Sequence, residues 1–312
     1  MAYFLADRPV AATARGAVAV LGNFDGVHVG HRALIEAAAG AAEAQGAPLA
    51  AATFEPHPRR LFQPDAEPFL LTTLDRRDEL LRAAGAAHVV AIPFTRDTAG
   101  MSPEEFVDEM LIARLGLAGV VVGSEFEFGK GRTGNADSLA QLGATRGLFV
   151  GVLDPVAPGA EAEKYSSTDI RSLLEAGDVT SAATLLGRPW DVRGTVKSGE
   201  QRGRTIGFPT ANLDLGELVR PKNGVYAVRV GVDGAPMDKP AVANFGRRPT
   251  VGGEGRLLEV HVFDFTGDLY GRRMDVAFIE FLREERKFDG LDALKTQIAA
   301  DGEQARALLS KA

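Results

Sequence analysis

The sequence predicts an α/β domain built on a parallel sheet, followed by a small antiparallel barrel or sandwich that closes with one helix. Three observations carry this. The first half alternates short apolar runs with helical patterns. Past residues 186–190 the pattern turns to strand after strand with a hairpin signal. The 312 residues suit about two domains. The boundary is set at 187, giving domains 1–186 and 187–312, and no internal repeat relates the halves.

In the first half, residues 17–21 (AVAVL), 50–54, 88–92, 120–122 and 148–153 are apolar runs of buried-strand length. Between them, 31–45, 74–84, 103–115 and 137–144 are long and regular enough for helices. Ser102-Pro103-Glu104-Glu105 joins a capping box to a proline in the first turn, which marks a helix start. Strands alternating with helices imply a parallel sheet with helices on its faces. Such sheets bind ligands at the carboxyl ends of their strands. In the second half, 192–197, 225–232, 241–244, 257–265 and 274–281 read as strands, with Val232-Asp233-Gly234-Ala235 as a hairpin turn. Leu291, Leu294, Ile298, Ala305 and Leu308 give the closing helix an apolar stripe.

Composition excludes several classes of function. Lys and Arg total 35 against 42 Asp and Glu, a net charge of −7, so no nucleic-acid partner is expected. With no cysteine, disulfides and thiolate-held metals are excluded. No apolar run approaches the roughly 18 residues of a membrane span, and the N-terminus lacks the basic start and apolar run of a secretory signal. The chain is expected to be soluble and cytoplasmic, with no membrane partner.

Gly22-Asn23-Phe24-Asp25-Gly26-Val27-His28-Val29-Gly30-His31 follows the first strand and opens the first helix. Its glycines permit a tight turn and a close approach to a ligand. A helix N-terminus offers unpaired N–H groups and partial positive charge, which suit phosphate. His28 and His31, three apart, share a helix face, and an imidazole with a pKa of about 6.5 can become a cationic donor. Two plainer readings stay open: a metal pair, although no third ligand is near, and a structural helix cap. A second cluster, Lys164-Tyr165-Ser166-Ser167-Thr168-Asp169-Ile170-Arg171, places hydroxyls and two cations before the apolar pattern Ile170, Leu173, Leu174. It reads equally as an anion site or an ordinary Ser/Thr cap.

Together the two strings resemble the HxGH and SSTxxR motifs of the nucleotidyltransferase superfamily, in the form carried by prokaryotic bifunctional riboflavin kinase/FMN adenylyltransferases. Thr53-Phe54-Glu55-Pro56-His57-Pro58 and Val121-Val122-Gly123-Ser124-Glu125-Phe126-Glu127-Phe128-Gly129 resemble further family strings. Glu125 departs from the pattern, standing where the family usually has Asp or Asn.

In the second half, residues 199–212 (GEQRGRTIGFPTAN) form a glycine- and arginine-rich loop. Glycines let backbone N–H groups point at phosphate, while the arginines neutralise it. Thr210 and Asn212 offer neutral oxygens suited to Mg²⁺. A flexible surface loop is the plainer reading, and the order of a Walker A motif is missing. In the strand 257–265, Leu258, Val260 and Val262 face one side, so Glu259 and His261 face the other. Inside a barrel a carboxylate would need a partner or a task. Outside it would be unremarked, and the residues leave the two open.

GFPTAN, Asn223-Gly224-Val225-Tyr226-Ala227, Asn244-Phe245-Gly246-Arg247-Arg248-Pro249-Thr250 and Glu259-Val260-His261 resemble the riboflavin kinase domain of the same family. The resemblance spans roughly residues 15–308. It implies a Rossmann-like nucleotidyltransferase domain followed by a riboflavin kinase barrel. The barrel would phosphorylate riboflavin with ATP to FMN and ADP, and the first domain would adenylylate FMN with ATP to FAD and pyrophosphate.

The resemblance also implies the site residues. ATP of the adenylyl transfer would meet Gly22, Asn23, Phe24, Asp25, Gly26, His28, His31, Lys164, Ser166, Ser167, Thr168 and Arg171. The flavin would meet Phe54, Glu125 and Phe128. In the kinase, ATP would meet Gly203, Arg204, Gly207, Phe208, Pro209, Thr210 and Asn212, with Mg²⁺ on Thr210 and Asn212. Glu259 would be the general base of the kinase, while His28, His31 and Arg171 would serve the adenylyl transfer. A single-activity enzyme, a flavin-sensing protein without turnover, and a weak homo-oligomer stay open.

Overall fold

A computed structural model of the chain describes residues 4–5, 14–154, 165–197, 208–250 and 253–311. By internal contacts the chain divides into two compact units. The first is Met1–Ala66 with Leu74–Ser166, and the second is Glu67–Thr73 with Ser167–Ala312.

The first unit runs β1 (Phe4–Leu5), β2 (Val18–Leu21), α1 (Val29–Ala44), β3 (Leu49–Glu55), α2 (Pro58–Phe62), α3 (Leu74–Ala83), β4 (His88–Pro93), α4 (Arg96–Gly100) and α5 (Pro103–Glu105). It continues with β5 (Gly119–Gly123), the short hairpin β6 (Glu127–Phe128) and β7 (Gly134–Asn135), α6 (Ala136–Arg146) and β8 (Phe149–Leu153). Six strands pair in parallel in the order β1-β4-β3-β2-β5-β8. The central strands are buried on both faces, which is why they read as unbroken apolar runs. From β2 the chain builds outward through β3 and β4, then returns to lay β5 on the other side of β2. The carboxyl end of β2 is therefore the topological switch point, where an open parallel sheet leaves a crevice.

α1 buries Ile35, Ala38 and Ala42, one helical stripe. The Ser102 capping box forms as the sequence predicts, with reciprocal bonds of 2.8 and 3.2 Å to Glu105. The helix it starts does not stay α-helical: Phe106–Arg114 is a π-helix. Its buried residues are the adjacent pairs Phe106–Val107 and Met110–Leu111, four residues apart.

The second unit runs α7 (Ser167–Ala176), α8 (Val179–Leu186), β9 (Asp191–Thr195), β10 (Ala211–Leu213), β11 (Gly224–Val232), β12 (Lys239–Thr250), β13 (Gly253–Val262), β14 (Arg273–Arg283) and α9 (Leu291–Leu309). The six strands pair antiparallel in the order β10-β13-β12-β11-β14-β9. A bridge from Lys197 to Asn212 joins the two edges, so the sheet closes into a barrel. Alternate residues fill it: Tyr226, Val228 and Val230 from β11, Leu258 and Val260 from β13, Met274, Val276 and Phe278 from β14. Ile170, Leu174, Val179, Ala182, Leu186 and the strap residue Leu71 join the same core. Asp233 and Gly234 both take positive φ, the two-residue turn that the sequence predicts.

The closing helix follows the stripe read from the sequence, with Ala305 buried and Leu294, Ile298 and Leu308 half-buried, except at its first turn. Leu291 is 52% exposed, and Asp301, Ala305 and Leu309 are the buried positions. The Arg283 guanidinium donates to both Asp301 oxygens at 2.9 and 2.7 Å. That pair turns Asp301 inward, and Ala305 and Leu309 follow one turn apart. Among the described residues no helix is long and apolar enough to cross a membrane.

Candidate active sites

Residues 22–31 leave the sheet at the switch point. The turn is tight enough to force left-handed backbone at Phe24 (φ +49°), Gly26 (φ +87°) and Val27 (φ +43°). For a β-branched residue such as Val27 this is an outlier costing about 1–3 kcal/mol. Burial of both Phe24 and Val27 holds it in place. Strain of this kind gathers where backbone must be presented to a ligand.

The turn feeds directly into α1. His28, 5% exposed, is the N-cap, and its Nδ1 accepts the backbone N–H of His31 at 3.3 Å. An accepting Nδ1 leaves the neutral ring's proton on Nε2, which makes Nε2 a donor. The His31 ring stacks on His28 with centroids 3.6 Å apart. Gly30 leaves room between them: a Cβ there would lie 3.2 Å from both the His28 ring and Tyr165 Cβ, tighter than an ordinary contact. His28 is thus a helix cap by geometry, and the cap fixes the ring for a second use. Among the described residues no three His, Asp or Glu side chains cluster as a metal site.

Beside the turn lies a cavity of about 1110 Å³. Phe54, Phe62, Phe94, Phe106, Phe126 and Phe128 line it, together with Gly22 and Asn23 from the turn and Glu125. Arg59, Arg96 and Lys130 contribute positive charge to its wall. Aromatic faces with a few polar groups suit a flat, conjugated ligand with an anionic tail. The three flavin residues implied by resemblance, Phe54, Glu125 and Phe128, therefore share one cavity. The aromatic set is larger than the sequence reading. Phe62, at 68% exposure, comes from α2, which no periodicity marked.

Sequence reading gave α3 as a helix over 74–84 but passed over two of its side chains. Its apolar face carries Arg77 and Asp78 between Leu74 and Leu81, both buried. Arg77 Nη1 lies 3.8 Å from Glu55 Oε2. Burial raises the Glu55 pKa above its ordinary value and Asp25 adds to the rise, while the Arg77 charge opposes it. Charges at core positions of a helical stripe were the available signal.

The second motif falls partly outside this unit. Ser166 ends the first unit, whereas Ser167, Thr168 and Arg171 begin α7 in the second. Arg171 Nε donates to the Phe69 carbonyl at 2.6 Å and its guanidinium lies 5.6 Å from the centre of the Phe69 ring. Lys164 lies outside the described residues.

In the barrel, Leu258 and Val260 point into the core, so Glu259 points outward. That face is not bare. Strand register sets Asn212 of β10 and Asn244 of β12 on either side of Glu259. Each asparagine sits between two core residues, Ala211 and Leu213 or Ala243 and Phe245, so both face outward with it. Asn212 is only 5% exposed, and its Oδ1 meets no donor among the described residues. Asn244 Nδ2 donates to Glu285 at 3.2 Å. His261 Nδ1 lies 2.8 Å from the Pro209 carbonyl, which ties the segment leading to Thr210 against β13. The Phe208 ring sits edge-on to His261 at 5.6 Å. Gly203, Arg204 and Gly207 lie outside the described residues.

Comparison with known proteins gives two family matches in chain order: FAD synthetase over residues 10–169 and riboflavin kinase over residues 186–309. A bifunctional riboflavin kinase/FMN adenylyltransferase of Pseudomonas fluorescens is 42% identical over 295 residues, covering 94% of this chain and 93% of that protein. Those of Escherichia coli K12 (39% over 292 residues, 93% and 92% covered) and Bacillus subtilis (36% over 294 residues, 92% and 91% covered) carry the same description. A solved structure described as a macrolide-efflux protein from Streptococcus pneumoniae superposes with a TM-score of 0.83 at 32% identity, covering 96% of both chains. That description belongs to that protein, and both family matches point instead to flavin chemistry. The chain phosphorylates riboflavin to FMN and adenylylates FMN to FAD. It belongs to the family of bifunctional riboflavin kinase/FMN adenylyltransferases.

Proposed function

We propose that the two activities divide between the two units, with the kinase on the outward face of β13 and the adenylyl transfer at the end of β2. The observation that carries the kinase assignment is the row Asn212–Glu259–Asn244. A carboxylate between two asparagines, beside a buried amide oxygen, is a proton acceptor next to a ready cation ligand. As the ribityl 5′-hydroxyl attacks the γ-phosphorus, Glu259 takes its proton and the bond to ADP breaks. Such general-base help is worth about 10²–10⁴-fold. Asn212 Oδ1 and the Thr210 hydroxyl fit the hard oxygen donors that Mg²⁺ prefers, and they would hold it. When bound, the cation neutralises charge on the ATP phosphates.

For the adenylyl transfer no protein nucleophile is needed. A phosphate oxygen of FMN attacks the α-phosphorus of ATP, and pyrophosphate leaves. The flavin ring occupies the aromatic cavity. His28 Nε2 and His31 donate to the phosphates from the helix start, where partial positive charge adds to theirs. A chain without cysteine, with a negative net charge and no membrane span among the described residues is assigned to the cytoplasm.

The test is Glu259→Gln, which keeps shape and one acceptor oxygen but removes the base. The kinase kcat should fall by about 10²–10⁴-fold with riboflavin and ATP affinities retained. Weakened riboflavin binding with an intact kcat would make Glu259 a positioning residue. No change in either would end the assignment.

A further inference from the structure

Arg77 is fully buried at 0% exposure, yet it has no part in the reading above. Its Nη1 donates to two acceptors at once, the Asn23 carbonyl and Thr53 Oγ1, each at 3.2 Å. Thr53, also at 0% exposure, donates its hydroxyl to the same Asn23 carbonyl at 2.9 Å. Three polar groups from three elements, the turn after β2, β3 and α3, thus close a triangle beneath the strained turn. Arg77 Nε and Nη2 find no acceptor among the described residues. Burying a guanidinium with two of its nitrogens unanswered is costly, and packing alone would be better served by an apolar side chain.

The triangle acts on one peptide unit. In a trans peptide the C=O and the following N–H point in opposite directions. Pinning the Asn23 carbonyl toward Thr53 and Arg77 therefore aims the Phe24 N–H the other way. That N–H has no acceptor among the described residues. The left-handed φ of Phe24 is the other half of the device, because it curls the chain around the aimed group.

We propose that Arg77 and Thr53 are positioning residues for the adenylyl transfer, clamping the Asn23 carbonyl so that the Phe24 N–H is presented to an ATP phosphate. This rests on the assignment of the Gly22–His31 turn to the nucleotide.

The test uses the full chain and measures FAD formation from FMN and FMN formation from riboflavin side by side. Arg77→Gln should lower kcat for FAD formation by about 10²-fold, as a displaced positioning group does, with the KM for FMN unchanged. Thr53→Val, nearly isosteric and safer for folding, should lower kcat in the same direction. Arg77→Lys should recover about tenfold of the loss, the worth of one charged hydrogen bond. Kinase rates should not move. Wild-type kcat in both Thr53→Val and Arg77→Lys would overturn the clamp. So would variants that lose melting temperature but keep kcat per folded molecule. His28→Ala with His31→Ala runs alongside: if it too makes FAD normally, the site assignment itself has failed. If it alone is crippled, only the clamp has.

Discussion

His28 joins two demands in one side chain, ending the backbone of α1 with Nδ1 and keeping a donor on Nε2. His28→Ala with His31→Ala should therefore lower FAD formation by at least about 10²–10³-fold, as the loss of preorganised donors does. FMN formation should stay intact, and a two-substrate assay reads both. Helix capping alone predicts a different result: about 1 kcal/mol of lost stability and normal turnover. In the barrel, Asn212→Ala removes the buried amide oxygen. It should raise the Mg²⁺ concentration for half-maximal kinase activity by about tenfold or more, as lost support at a metal site does, measured by titration of the cation at fixed ATP. Gly26 and Gly30 were legible in the sequence because glycine takes left-handed φ at no steric cost and leaves room for a close ring. Arg77 was not. A charge in a surface helix ordinarily faces water, and only the interval from Leu74 to Leu81 could have betrayed it.

The elements show the same division. Strands β2 to β5 were readable because burial on both faces leaves unbroken apolar runs, and the β11–β12 turn because Asp-Gly demands positive φ. The two-residue strands β6 and β7 are too short to carry a period. The stripe of α9 was read without Asp301, which counts as polar until Arg283 is seen to meet it. The outward Glu259 was undecided because alternation gives a face but not what lies beside it; register supplies Asn212 and Asn244. The division at 187 marks where the sequence pattern changes, while the contacts place α7 and α8 with the barrel. Ile170, Leu174, Val179 and Leu186 are each at most 1% exposed in its core. Removing four such side chains forfeits roughly 6–12 kcal/mol of burial as an upper bound, comparable with the whole stability of a domain. A fragment of residues 167–312 should thus melt well above one of residues 187–312, and both should make FMN when folded. Equal melting temperatures would show that the helix pair contributes nothing to the barrel.

On the scale of the whole molecule, two unlike folds each carry one phosphate chemistry, and the intermediate links them. The first unit offers a wide aromatic cavity and a strained phosphate turn at a switch point. The second offers a barrel wall with a carboxylate set between amides. The central claim is that Glu259 serves one step and the turn histidines serve the other. It is tested most directly by giving riboflavin or FMN, with excess ATP, to Glu259→Gln and to His28→Ala/His31→Ala in parallel, and following FMN and FAD by chromatography. The account predicts that Glu259→Gln makes almost nothing from riboflavin yet converts FMN to FAD at the normal rate. The histidine variant should convert riboflavin to FMN and stop there. A Glu259 variant unable to adenylylate supplied FMN, or a folded histidine variant that still delivers FAD from riboflavin, would contradict the division of labour.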